Sequence, residues 1–209
     1  MKPLSKNLLA FATFALLGVS VGCSNKMPEN ASALASLSSN RDLAGTVTIV
    51  ENQQPAEEQK QKLLAAKEEL FKRLSGRLMK AMADGGPAAA IEVCQKEAVQ
   101  IAKTVSEQHG LEIGRTGVRL RNPNNQAPKW ASELVTAKSE TLTFAVLTND
   151  HATAFLPIKL QPQCLMCHGP KEQISPDVQS QLSKLYPDDR AIGFKDGELR
   201  GWFWVDLPN

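Results

Sequence analysis

The chain has 209 residues, 24 basic and 22 acidic side chains, three His and four Cys. Removing residues 1–22 would take away Lys2 and Lys6 and no acids, which leaves a formally neutral chain. That balance argues against a nucleic-acid partner, which calls for a basic face. After removal of the leader, the length suits one folded domain rather than two.

Lys2 and Lys6 form a basic n-region, and Leu8 to Gly22 is an apolar run too short for a membrane span, so residues 1–22 read as a signal peptide. Val19-Ser20-Val21-Gly22-Cys23 resembles a bacterial lipoprotein cleavage site, which implies cleavage before Cys23 and diacylation of its thiol. Ser24, with no Asp to retain the chain at an inner membrane, favours the outer one. The expected compartment is the oxidising periplasmic side of a bacterial membrane. Residues 23–55 are rich in Asn, Ser, Ala, Glu and Gln without periodicity and read as a tether. A coil of that length holds its domain about 30 Å from the lipid.

A domain is expected over 56–209. Leu63, Leu70, Phe71, Leu74, Leu78 and Met82 recur at helical spacing between charges. Asp84-Gly85-Gly86-Pro87 stops that helix and starts a second, whose Ile91, Cys94, Ala98, Ile101, Ala102 and Val105 share a face; Gly110 caps it. Strand patterns follow at Glu112–Arg121, Thr141–Leu147 and Thr153–Leu160, the last demoted toward an edge by Pro157. Short helices are expected at Lys129–Lys138 and Pro176–Leu185, and a closing hairpin at Ala191–Val205 with its turn at Asp196-Gly197. Two helices followed by at least four strands is an α+β plan.

The chemistry is concentrated in Cys164-Leu165-Met166-Cys167-His168. Two thiols three residues apart can each form a thioether to a vinyl group of one haem, and the adjacent imidazole then reaches the iron. A redox disulfide is the rival reading, but such a motif opens a helix after a strand, whereas Gln161-Pro162 and Gly169-Pro170 flank this one as a loop. A zinc site needs a second ligand pair, which Cys94 and His151 supply poorly. With Cys23 assigned to lipid and Cys164 and Cys167 to haem, Cys94 is left over; a buried thiol acting as a small hydrophobe would account for it. His151 reads as a turn residue, His109 as a helix-end residue, and Met79 and Met82 as core. Arg115, Arg119 and Arg121 could pair with haem propionates, or form a solvated strand face.

Several stretches together resemble the PAS-like single-haem c-type cytochromes, once grouped as a domain of unknown function. They are Ala90–Cys94 with Ile101-Ala102, Arg115-Thr116-Gly117, Arg121–Asn125, Cys164–Pro170, Tyr186–Asp189, Ala191–Phe194 and Gly197–Gly201. The resemblance implies a PAS-like antiparallel sheet with N-terminal helices, and one covalent haem c held by His168 on one side and Cys94 on the other. Such a site has no open position for substrate, so no enzyme is expected. It implies a low-potential electron carrier that docks on redox partners. The second expectation is a redox or gas sensor acting through a partner protein.

Overall fold

The computed structural model describes residues 45–209. The signal peptide, the lipidation of Cys23 and most of the tether lie outside the described residues. The structural unit begins at Gly45 rather than at Ala56. Ile49 bridges Leu147, and Val47 and Ile49 pack on an apolar cluster, so the last part of the expected tether joins the fold.

Helix α1 spans Glu57–Lys96 and α2 spans Ala98–His109. The expected break within the first of these is present as a kink. Gly86 has φ 76° and ψ −179°, a conformation that a side chain would oppose, and Pro87 follows it. The α1/α2 junction falls at Glu97, whose N–H still donates to Val93 O at 2.9 Å. Gly110 caps α2 in the left-handed region, as expected.

The sheet contains β1 (Glu112–Gly117), β2 (Thr143–Val146), β3 (Ala152–Lys159) and β4 (Leu199–Leu207), in the order β1-β4-β3-β2 and antiparallel throughout. The α+β plan is therefore observed. Pro157 sits in an interior strand, yet it lies past the last β2/β3 pair, Thr143↔Phe155, where β3 is locally an edge. Leu63, Ala66 and Leu70 of α1 and Val105 of α2 pack on Ile113, Ala154, Leu156, Phe203 and Val205. Fully burying each leucine contributes about 2 kcal/mol. The opposite face of the sheet is covered by Trp130, Ala131 and Leu147 against Phe155 and Trp202.

The Lys129–Lys138 segment forms a 3-10 turn and then α3 (Ser132–Thr136). Helix α4 is the four-residue turn Leu165–His168, and α5 spans Pro176–Leu185 as expected. Two expectations fail. The strand beginning at Glu112 ends at Gly117, not Arg121, so its three arginines do not share a face. The closing hairpin does not form, because residues 191–195 bond elsewhere. Gly193 N–H donates to Gly169 O at 2.7 Å and Phe194 N–H to His168 O at 2.9 Å. Ala191 and Phe194 are buried against Leu160, Cys164 and Leu165. The chain therefore passes the cysteine motif before it enters β4.

Candidate cofactor site

A cavity of about 270 Å³ opens between α1, the sheet and α4. Leu78, Met82, Ala90, Ile91 and Cys94 form its helical wall, and Ile158 and Leu160 extend the apolar lining. Cys164, Cys167 and His168 form another wall, and Arg115 and Arg200 add positive charge. All four residues expected to hold the haem, Cys94, Cys164, Cys167 and His168, thus meet in one cavity. Cys94, Cys164 and Cys167 are free thiols, each half-buried. Among the described residues no group of three or more His, Cys, Asp or Glu side chains is arranged to hold a bare metal ion.

The local fold explains the motif's presentation. Pro162 starts a 3-10 turn through Cys164, and α4 follows directly, so the two cysteines and His168 project from one compact turn. Gly169 closes it: a Cβ there would lie 2.6 Å from Leu165 O. His168 Nδ1 lies 2.6 Å from Ala191 O. A carbonyl only accepts, so Nδ1 carries the proton and Nε2 is left with its lone pair. Burial, with the nearby charges of Arg121 and Arg200, pushes the His168 pKa down to about 2, so the ring is neutral. Burial also pushes the Cys167 thiol up. Tyr186, another lining residue, is raised to about 12, again chiefly by burial.

The arginines divide by role. Arg121 is buried and ion-paired with Asp189 at 3.0 Å. Arg119 stacks on Phe194, its guanidinium carbon 3.8 Å from the ring centroid. Arg115 and Arg200 line the cavity, and among the described residues neither has a carboxylate within ion-pair distance. Burial pushes the pKa of Arg115 down, and burial together with the charges of Arg121 and Arg115 pushes Arg200 down to about 10. The solvated-face reading therefore fails for Arg115 and Arg121.

Of the remaining sequence candidates, His151, His109 and Met79 stand apart from the cavity. His151 Nδ1 is 2.6 Å from Asp206 Oδ1, and His109 Nε2 is 2.7 Å from Glu69 Oε2. Met79 is 59 % exposed rather than core, because its helical position turns it away from the sheet. Met82 lines the cavity beside the Cys94 segment, and Met166 lies at its exposed edge. Sequence reasoning missed Arg200 and the Ala191 carbonyl. A lone arginine entering the apolar run Gly201–Val205 was the available signal for the first; a backbone acceptor leaves none.

The donor set fits a haem c. Two thiols face the same space as a neutral imidazole nitrogen, the wall is apolar, and two unpaired guanidinium groups await anions such as a pair of carboxylates.

Comparison with known proteins agrees on the architecture. A crystal structure described as the cyanobacterial heme-protein Tll0287 superposes with a TM-score of 0.51 at 23% identity, covering 74% of this chain and 98% of that one. No curated protein matches. The Tll0287-like family matches over residues 30–208, and the chain belongs to that family.

Proposed function

We propose that this chain is an exported, lipid-anchored c-type cytochrome that carries one covalent haem and transfers electrons at low potential, without enzymatic activity. The observation that carries the reading is the convergence of Cys164, Cys167, His168 and Cys94 on one cavity, together with the unpaired Arg115 and Arg200. The family and a relative described as a haem protein support it. The haem, when bound, supplies a one-electron ferric/ferrous couple.

Each residue then has a task. Cys164 and Cys167 anchor the ring edge through thioethers. His168 offers Nε2, with its orientation set by Ala191 O. Cys94 offers a thiolate, an anion that favours the ferric state and lowers the potential relative to a thioether ligand. Arg115 and Arg200 neutralise the two propionates. With His168 and Cys94 both given to the iron, no position would be left for a substrate, which favours electron transfer over catalysis. Cys23 would fix the chain to the membrane, where redox proteins are the expected partners.

A second reading rests on one feature. The segment bearing Cys94 is bounded by the Gly86 kink and the Glu97 junction, two interruptions of regular helix at which it would bend. That favours a sensor in which Cys94 is released on reduction or gas binding and a partner protein reads the change. The test of the main reading is a pyridine haemochrome assay on chain exported with haem-maturation machinery. One covalent haem per chain is expected, lost in Cys164→Ser with Cys167→Ser. Absence of covalent haem in the unaltered chain contradicts the proposal. Adding carbon monoxide to the reduced protein separates carrier from sensor: inertness supports the carrier, and rapid ligand displacement supports the sensor.

A further inference from the structure

Three hydrogen bonds tie the peptide segment 189–194 to the cysteine motif and the glycine after it: Ala191 O with His168 Nδ1, Gly193 N–H to Gly169 O and Phe194 N–H to His168 O; two side chains organise it. Arg121 Nε donates to Asp189 Oδ2 at 3.0 Å. Arg121 Nη2 donates to Cys167 O at 2.5 Å and to Ala191 O at 3.3 Å. Asp189 Oδ1 accepts the Ala191 N–H at 2.7 Å. Both side chains are 9% exposed. Ala191 O is thus held through its own residue's amide by Asp189, and it accepts from two donors: Arg121 and His168 Nδ1.

A buried ion pair is weak grounds for net stability, since desolvation offsets most of its attraction. The position of this pair is the informative part. The partner of a ligating histidine's second nitrogen fixes ring orientation and sets how strongly the first nitrogen donates. An acceptor oxygen that also faces a guanidinium gives less density to the imidazole. The guanidinium's charge acts on the site in the same sense.

We propose that Arg121 and Asp189 are a pair of positioning residues that set the orientation and electron donation of His168 through the Ala191 carbonyl. This deepens the haem reading of the same site and rests on it. Loss of Arg121 leaves Ala191 O to His168 alone and leaves the Asp189 charge unbalanced; both effects favour the oxidised state. Loss of the Asp189 charge, with its hydrogen-bonding shape kept, leaves Arg121 unbalanced and favours the reduced state.

The test uses the full exported chain, with haem content measured first by pyridine haemochrome and then potentiometric titration and electron paramagnetic resonance. Arg121→Gln is expected to lower the midpoint potential. The expected size is a tenfold rise in the oxidised-to-reduced ratio at fixed ambient potential, about 59 mV for one electron. Asp189→Asn is expected to shift it the opposite way, and the double variant to return toward the unaltered chain. Arg121→Gln should also change the g-value spread, because the imidazole loses a fixed partner geometry. A purely structural pair would reduce haem loading without this opposition of sign. Normal loading with both potentials unmoved, or both moved the same way, overturns the inference alone. An unaltered chain without covalent haem overturns the function reading and this inference together. If Arg121→Gln does not accumulate, Asp189→Asn decides: a rise supports the pair's role, and no change or a fall overturns it.

Discussion

Arg200→Met should stabilise the haem-free chain and fail to stabilise the loaded one. Burial, aided by the positive charges of Arg121 and Arg115, holds the Arg200 guanidinium at about 10 instead of 12.5. At about 1.4 kcal/mol per pKa unit, that is a penalty of roughly 3 kcal/mol on the charged form. The bond from Arg200 Nη1 to Arg119 O, 3.0 Å long, returns about 1 kcal/mol. The methionine fills the same space with a flexible apolar side chain. The net expectation is a gain of about 2 kcal/mol in urea unfolding of chain produced without haem maturation. In the loaded chain a propionate meets Arg200, so the same substitution should be neutral or cost about 1 kcal/mol. An equal gain in both forms would show that Arg200 meets no anion in the cavity. A loss in the haem-free form would refute the burial penalty itself.

Three further outcomes follow from the geometry. Cys94→Ala should raise the reduction potential of the loaded protein and remove the low-spin thiolate signature from its ferric spectrum, while haem content stays unchanged; an unaltered spectrum would exclude Cys94 as a ligand. Gly201→Ala should lower stability by about 3 kcal/mol or more, read from the urea midpoint, because its Cβ would lie 2.1 Å from Thr116 O and 2.5 Å from Gly117 Cα and force β1 off β4. Gly76→Ala is the contrasting case: within α1, with nothing within 4 Å of the added Cβ, it should stabilise by about 0.5–1 kcal/mol.

The parts of this molecule written in local chemistry were legible in the sequence. The Cys164–His168 spacing, the Gly86-Pro87 break, the Gly110 cap and the α5 boundaries each depend on a few adjacent residues, and each lies where expected. The closing hairpin failed because residues 191–195 alternate like a strand but find their hydrogen-bond partners at His168 and Gly169, across the fold. No local pattern encodes that choice. The same holds for the arginines. Even-numbered spacing put Arg115, Arg119 and Arg121 on one strand face, but the strand ends at Gly117, and the three side chains part toward the cavity, Phe194 and Asp189. Counting thiols singled out Cys94, and only the family resemblance implied a ligand's role for it. Its neighbours in the cavity, Arg115 and Tyr186, became evident only once the helix and sheet were assembled.

That assembly also gives the site its charge logic. In the proposed loaded state, a thiolate and two propionates would bring three negative charges into a cavity whose own residues bring two guanidinium groups without an ion-pair partner among the described residues, and the single net positive charge of ferric iron in its porphyrin ring would be the remaining balance. On that proposal Arg115 and Arg200 would be costly in the empty cavity and favourable in the filled one.

The most direct test of haem held between His168 and Cys94 is an electron paramagnetic resonance spectrum of the oxidised, exported full-length protein. The expected result is a low-spin ferric signal with the narrow g-value spread of thiolate ligation, abolished in Cys94→Ala and in His168→Ala. A high-spin signal, or a low-spin signal that persists unchanged in Cys94→Ala, would contradict it.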